Sequence, residues 1–170
     1  ADFIITTVPL SMTEIQLPAV LISPMVTASD IQKVEFMINN YTSLQYLRSL
    51  FRSELFFPDI PGNNKDEALN HLTDSMVMTG LISEAFAAIK EREAMSSTEI
   101  TEKVAIPHCF LSVPIDTMLA VGILKEPVAW GTAHVQLVFV GIINPAVKKN
   151  KCVFPMIYRL IQDSDKVQRL

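Results

Sequence analysis

The sequence predicts an α/β domain with a mixed sheet flanked by helices on both faces. Short apolar, β-branched runs, of which residues 135–143 are the clearest, have the composition of buried strands. They alternate with stretches in which apolar residues recur every three or four positions, as in amphipathic helices. Such alternation indicates helices packed on a sheet. Hydrophobic residues make up 49% of the 170-residue chain and charged residues 19%, which favours a buried core over disorder.

The first forty residues predict a separate, partial unit. Residues 3–8 and 19–23 are short apolar runs, each followed by a proline, and both are typical of strands in a parallel sheet. Thr27 and Asp30 have capping-box spacing, and apolar residues then recur at helical spacing up to Asn39-Asn40. Two strands and one helix would leave bare sheet edges. We therefore expect the chain to begin inside a domain, with residues 1–40 as its remnant.

Residues 41–170 contain the elements of the main domain in order. The predicted elements are a helical stripe through Leu50 and Phe51, an extended segment at 55–60, helices at 66–77 and 83–93, strands at 104–106, 119–124 and 135–143, a turn at 127–131, a helix carrying 153–161 and a last short helix at 163–170. Gly80 is expected to stop the first of the two central helices. Pro155 is compatible with its helix only in the first turn or at a kink.

Composition excludes several classes of function. The net charge is −4 with no basic stripe, so direct nucleic-acid binding is not expected. No apolar run reaches the length of a membrane span, and the first residues lack the basic region of a secretory signal. Cys109 and Cys152 do not form a metal-ligand spacing, and neither a metal nor another cofactor is expected. We expect a reduced, cytoplasmic protein.

His108 stands out because of what precedes it. Pro107 has a fixed φ and pushes Ile106 into an extended conformation, so a short strand is predicted to end here and His108 to leave its end. Ligand crevices form at strand ends in α/β sheets. On the dipeptide Pro107-His108 alone, a capping or core histidine is the commoner explanation. We expect His71 to lie on the surface and His134 to be structural, since it lies at the wrong end of a strand.

The residues around His108 favour a functional histidine over a capping or core histidine. From Arg92 to His108 the chain reads R-E-A-M-S-S-T-E-I-T-E-K-V-A-I-P-H. This stretch resembles the active-site signature of the fructose/mannitol-type (type 2) enzyme IIA domain of the bacterial sugar phosphotransferase system. The similarity extends upstream to residues 66–69 and downstream through 118–131 to 135–143. We judge that it covers roughly residues 41–170.

The resemblance implies a site. His108 would be the phosphorylated histidine and Arg92 the arginine beside it, while the hydroxyls of Ser97 and Thr98 could bind the phosphoryl group. The loop departs from the family pattern, because family members often carry glycines where this chain has other residues. Many such domains also have a second histidine at the start of the helix after the last strand. Our alignment places Asn150 there, as a supporting phosphate ligand. Trp130 is expected to anchor its turn in the core.

Three functions remain open. Residues 1–40 resemble the end of the enzyme IIB-like domain of sugar-responsive transcription regulators, which also contain phosphotransferase regulation domains (PRDs). We therefore favour a regulator or antiterminator domain that is phosphorylated by the phosphocarrier protein HPr and contacts a IIB domain or other domains of the same regulator. Oligomerisation would then depend on upstream domains. The alternatives are an enzyme IIA that passes phosphate to a transporter's IIB domain, and an interaction module that is not phosphorylated.

Overall fold

The computed structural model describes residues 3–10, 17–77, 83–111 and 116–162. It divides into two compact units, Ala1–Gln45 and Tyr46–Leu170, so the division falls a few residues after the boundary predicted at residue 40. Gly80 and the short helix predicted at 163–170 lie outside the described residues.

The first unit contains the two strands and the helix that the sequence predicts. Strands β1 (Ile4–Thr6) and β2 (Ala19–Leu21) pair in parallel. Helix α1 (Ala28–Leu50) begins at a capping box. The Asp30 carboxylate accepts from the Thr27 amide at 3.0 Å, and the Asp30 amide donates to the Thr27 hydroxyl at 3.2 Å. The hydrogen bonds from Thr27 and from Lys33 hold the pKa of Asp30 well below its usual range.

Helix α1 does not end at Asn39-Asn40, where the sequence pattern breaks. The polar pair lies within a continuous helix that reaches Leu50. Asn39 is exposed, so its amide is solvated rather than competing with the backbone. Phe51, expected within the helical stripe, is instead the first residue of the next strand.

A five-stranded mixed sheet forms the centre of the second unit, as predicted. Strands β4 and β5 run parallel to β7, β6 runs antiparallel to it, and β3 is parallel to β6 at the edge. The strands are β3 (Phe51–Ile60), β4 (Val104–Ala105), β5 (His108–Phe110), β6 (Met118–Trp130) and β7 (Ala133–Ile143). The predicted central strand is confirmed as β7, which is buried over most of its length.

Helices cover both faces of this sheet because β7 is apolar on both sides. On one face, Val138 and Val140 pack with residues of α2 (Lys65–Val77) and α3 (Ser83–Met95). On the other face, Leu137 and Phe139 pack with the last turn of α1 and with α4 (Val153–Gln162), which follows a 3₁₀ turn at Lys148–Cys152. Pro155 is the third residue of α4, the early position that its ring requires.

The turn predicted at 127–131 is wrong. Strand β6 continues through Pro127 to Trp130, and only Gly131 and Thr132 remain between it and β7. Gly131 has φ +60°, which favours glycine. The pairing of β6 with β7 shifts register between Ile123 and Val128, and this irregularity accommodates a proline that cannot donate to the ladder.

Candidate functional site

His108 lies at the junction of two short strands. β4 and β5 both pair with β7, and Pro107 separates them. The Gly141 amide donates to the Pro107 carbonyl at 3.0 Å, and His108 is in register with Gly141. A Cβ at position 141 would lie 3.4 Å from the His108 Cβ, an ordinary van der Waals contact, so Gly141 lies directly beside the histidine. The predicted strand therefore pauses at Pro107 and resumes at His108, instead of ending before it.

One hydrogen bond defines the state of the imidazole. His108 Nδ1 lies 2.8 Å from the carbonyl oxygen of Ile106. A carbonyl only accepts, so Nδ1 carries the hydrogen and donates. In the neutral ring, Nε2 is then unprotonated and keeps a free lone pair. The Nδ1–H tautomer thus leaves Nε2 as the ring atom that can act as a nucleophile.

His108 lines a cleft of about 510 Å³ together with three of the four other predicted site residues. Arg92 enters from the last turn of α3, and its Nη1 donates to the Ser96 carbonyl at 3.0 Å. In the described part of the chain, no carboxylate lies within ion-pair distance of Arg92. The lining residues are Arg92, Ser97, Thr98, Glu99, Ile100, Ile106, His108, Phe154, Pro155 and Tyr158.

Glu93 is a buried hub beside the cleft that sequence reasoning missed. Its carboxylate accepts from the Thr98 amide at 3.1 Å, from the Trp130 indole at 2.9 Å and from the Thr98 hydroxyl. Lys65 Nζ lies 3.5 Å away. The Thr98 hydroxyl is thus already donating to Glu93 and can offer a phosphoryl group no hydrogen. Trp130 is completely buried, as expected, but it anchors the cleft loop through Glu93 rather than a turn.

Ser97 and Glu99 continue this loop inside the cleft. Among the described residues, the buried Ser97 Oγ and Glu99 Oε2 have no hydrogen bond of standard geometry. Glu99 Oε1 accepts from the Thr132 amide at 3.0 Å. The nearby Ser97 hydroxyl, followed by the Thr132 amide, lowers the pKa of Glu99. The cleft therefore contains a carboxylate as well as a guanidinium, and the buried Ser97 hydroxyl lies beside that carboxylate.

Asn150 lies apart from the cleft lining. Its Oδ1 accepts from the Tyr46 hydroxyl at 2.5 Å, and its Nδ2 donates to the Thr117 hydroxyl at 2.6 Å and to the Asn144 carbonyl. These bonds use both ends of the amide, so the side chain fixes the 3₁₀ turn before α4 instead of facing His108. The ring of α4 that does contact His108 belongs to Phe154.

The other two histidines lie where the sequence placed them. His71 is exposed on α2. His134 is exposed near the start of β7, whereas His108 lies beside Gly141 near the end of that strand. Across the described ranges, no group of three or more metal-ligating side chains occurs. In the same residues, no helix is long and apolar enough to cross a membrane.

Known proteins are similar to this chain in sequence and in fold. The sequence model described as phosphoenolpyruvate-dependent sugar phosphotransferase system, EIIA 2, matches residues 49–170, which include the whole cleft. The chain belongs to this family. The resemblance of the stretch from Arg92 to His108 is thereby confirmed, and the EIIA 2 domain corresponds to the second structural unit.

Two relatives of this EIIA 2 chain are regulators from Bacillus subtilis (strain 168). The first is a probable licABCH operon regulator, which is 29% identical to this chain over 94% of the chain's length. The second is the transcriptional regulator ManR, which is 25% identical over 99% of the chain's length. This chain spans about a quarter of each, 24% and 27%. Its fold matches enzyme IIAMTL in the Escherichia coli complex with phosphorylated enzyme IIBMTL, with TM-score 0.59, 19% identity, and coverage of 70% of this chain and 86% of that one.

Proposed function

We propose that this EIIA 2 domain accepts a phosphoryl group on Nε2 of His108, with HPr as the donor, and that it is the phosphorylation-sensing part of a bacterial sugar-responsive transcription regulator or antiterminator. The observation that carries the proposal is the hydrogen bond from His108 Nδ1 to the Ile106 carbonyl. It leaves Nε2 as the nucleophile of a histidine that shares its cleft with a guanidinium.

The transfer step needs no group beyond the two proteins. The Nε2 lone pair attacks the phosphorus of a phosphohistidine donor, the new N–P bond forms, and the donor's N–P bond breaks with its electron pair returning to the donor nitrogen. His108 keeps the proton on Nδ1, so its ring gains positive charge in the step. The Ile106 carbonyl, which already accepts that N–H, stabilises the charged ring.

Arg92 and Ser97 can stabilise the negative charge of the phosphoryl group. A phosphoryl group brings roughly −1.5 to −2 charges. The Arg92 guanidinium can offer two parallel N–H groups to it, and the Ser97 hydroxyl, once it rotates away from Glu99, can donate a third hydrogen bond. Glu99, in the same cleft, opposes the incoming charge. Its presence makes Arg92 necessary rather than supplementary.

A role in a regulator is supported by the breadth of the two regulator matches. Both span nearly all of this chain, including most of the first unit, which lies upstream of the family match. We infer that residues 1–40 end a IIB-like domain of the same cytoplasmic polypeptide, and that this domain or its neighbours contact the phosphorylated face. The alternative, transfer to a transporter's IIB domain, draws on the enzyme IIAMTL complex with phosphorylated IIBMTL.

Reconstituted phosphorylation tests the proposal. With phosphoenolpyruvate, enzyme I and HPr, the protein should gain one acid-labile phosphoryl group. His108→Ala should abolish labelling, whereas the surface variants His71→Ala and His134→Ala should label like the parent. Labelling that survives His108→Ala would refute the assignment. Rapid passage of the label to a fructose- or mannitol-type IIB domain would favour the transporter alternative.

A further inference from the structure

Two phenylalanines pack against the His108 ring. The Phe154 centroid lies 4.6 Å from that of the imidazole, with the planes tilted by 56°. Phe110 lies 5.5 Å away and almost edge-on, at 83°. The two phenyl centroids are 6.2 Å apart, so the three rings form one cluster. Phe154 comes from α4 and Phe110 from β5, so two separate elements build the cluster.

We propose that Phe154 and Phe110 are positioning residues for phosphorylated His108, which hold the imidazole plane, and that Phe154 also shields the N–P bond from water. The inference rests on the proposed function and extends it from acceptance of the phosphoryl group to its retention. A long-lived phosphohistidine suits a domain that reports a state, because the signal lasts until a partner removes it.

The ring geometry explains why the phenyl groups are needed. In the described part of the chain, the imidazole has one hydrogen bond, from Nδ1 to the Ile106 carbonyl. A single bond leaves the ring free to tilt about that axis. Aromatic neighbours at centroid distances of about 4.5–7 Å favour defined edge-to-face and tilted arrangements. Phe154 and Phe110 therefore restrict the remaining freedom and keep Nε2 in one direction.

Phe154 also limits hydrolysis. In that reaction a water oxygen attacks the phosphorus, the N–P bond breaks with its electron pair returning to Nε2, and the water protons leave with the phosphate. Attack requires a water molecule held in line near the ring. Phe154 and Pro155 supply an apolar wall on the α4 side of the cleft, where a polar side chain would order such water.

The test compares phosphohistidine lifetimes. Parent, Phe154→Leu, Phe154→Tyr and Phe110→Leu are labelled, freed of enzyme I and HPr, and followed for loss of label at neutral pH. Both leucine variants should lose label about two- to tenfold faster, the range set by aromatic-pair energies. Phe154→Tyr keeps the ring and should stay within about twofold of the parent.

Phe56→Leu is the matched control. Phe56 is a partly exposed phenylalanine on β3, which β6 and β7 separate from β5. It should retain the parent lifetime. Phe110 is 57% exposed, so its leucine variant should fold even if Phe154→Leu does not. Parent lifetimes in both leucine variants, or an equal loss in Phe56→Leu, would overturn the proposal.

A second measurement separates this inference from the proposed function. Long-range ¹H–¹⁵N spectra of unphosphorylated protein report the His108 tautomer. The parent should show one tautomer with the proton on Nδ1, and Phe154→Leu should keep it because the bond to the Ile106 carbonyl is retained. Relaxation of the ring C–H groups should show greater motion of the His108 ring in Phe154→Leu than in the parent, and equal ring motion in the two proteins would count against ring positioning. Failure of the parent to take any label on His108 would instead refute the proposed function, and the shielding with it.

Discussion

Removal of the Glu93 carboxylate should destabilise the domain, because it leaves buried hydrogen-bond donors without an acceptor. Glu93 is 3% exposed and accepts hydrogen bonds from the Thr98 amide, the Thr98 hydroxyl and the Trp130 indole. Glu93→Ala leaves the amide and the indole as buried donors without an acceptor. An unsatisfied buried donor costs about 1–3 kcal/mol, so two cost about 2–6 kcal/mol. Relief from burying a charge offsets part of this.

Glu93→Gln separates the charge from the hydrogen bonds. The amide oxygen can replace Oε1, which accepts from both the Thr98 amide and the Trp130 indole. The amide NH₂ then faces the Thr98 hydroxyl, which can rotate to accept. The number of bonds is kept, but each falls from about 1.5–3 kcal/mol for a charged acceptor to about 0.5–1.5 kcal/mol. Three bonds that each weaken by about 1 kcal/mol cost about 3 kcal/mol, and relief from burying a charge offsets part of this, so we expect a loss of about 1–3 kcal/mol, smaller than for alanine.

Urea unfolding of the two variants measures these free energies. Glu91→Ala is the control, because Glu91 is exposed on the same helix and should change stability by less than about 0.5 kcal/mol. HPr-dependent labelling should slow more in Glu93→Ala than in Glu93→Gln, since only alanine removes the acceptors that fix Thr98 and the adjacent Ser97. A Glu93→Ala protein as stable as the control would show that the carboxylate does not organise this loop.

Three further predictions concern other parts of the domain. Arg92→Lys keeps charge but loses paired N–H donors, and HPr-dependent labelling should slow by about one order of magnitude; labelling at the parent rate would mean that Arg92 does not position the phosphoryl group. Tyr46→Phe removes the hydroxyl that donates to Asn150, and should lower the unfolding free energy by about 1–2 kcal/mol; no change in urea unfolding would contradict this. Burial raises the pKa of Cys109 to about 11, so the folded thiol keeps its proton where an unfolded thiol has lost it. The buried, protonated thiol therefore contributes fully to the free energy of unfolding below the pKa of the unfolded thiol, and this contribution is lost as pH rises towards 11. Alkylation at pH 9 should therefore modify Cys152 first, and mass spectrometry that finds Cys109 first would refute the burial argument.

Most of the sheet could be predicted because its signal is local. The apolar run of β7 fills both faces of a central strand, so composition alone identified it. The misassigned turn shows where local signals fail. Proline and glycine at 127 and 131 indicate a break, yet pairing along β7 keeps residues 118–130 extended, and a register shift accommodates the proline. Tertiary hydrogen bonding therefore outweighed local turn preference.

The cleft was predictable only where one continuous stretch of sequence builds it. Arg92, Ser97, Thr98 and His108 lie within such a stretch, and the structure brings all four to the same cleft. Glu93 lies in the same stretch, but its role depends on Trp130, which is 37 positions away. Nothing near Glu93 in the sequence distinguishes it from an exposed acidic residue of a helix end.

The alignment with related domains placed Asn150 beside the phosphoryl group, whereas the side chain from this region that contacts His108 is Phe154. Both residues lie around the start of α4, but a 3₁₀ turn at Lys148–Cys152 precedes the helix. In that turn the Asn150 amide is directed into a buried network with Tyr46 and Thr117. One helical turn later, the phenyl ring of Phe154 contacts the imidazole. The helix start therefore supplies the histidine with an apolar neighbour instead of a hydrogen-bond donor. Under the proposed function, Arg92 is the cation of the described cleft that balances the phosphoryl charge. The rate prediction for Arg92→Lys therefore tests charge balance at the site, and the lifetime prediction for Phe154→Leu tests the apolar packing of the imidazole.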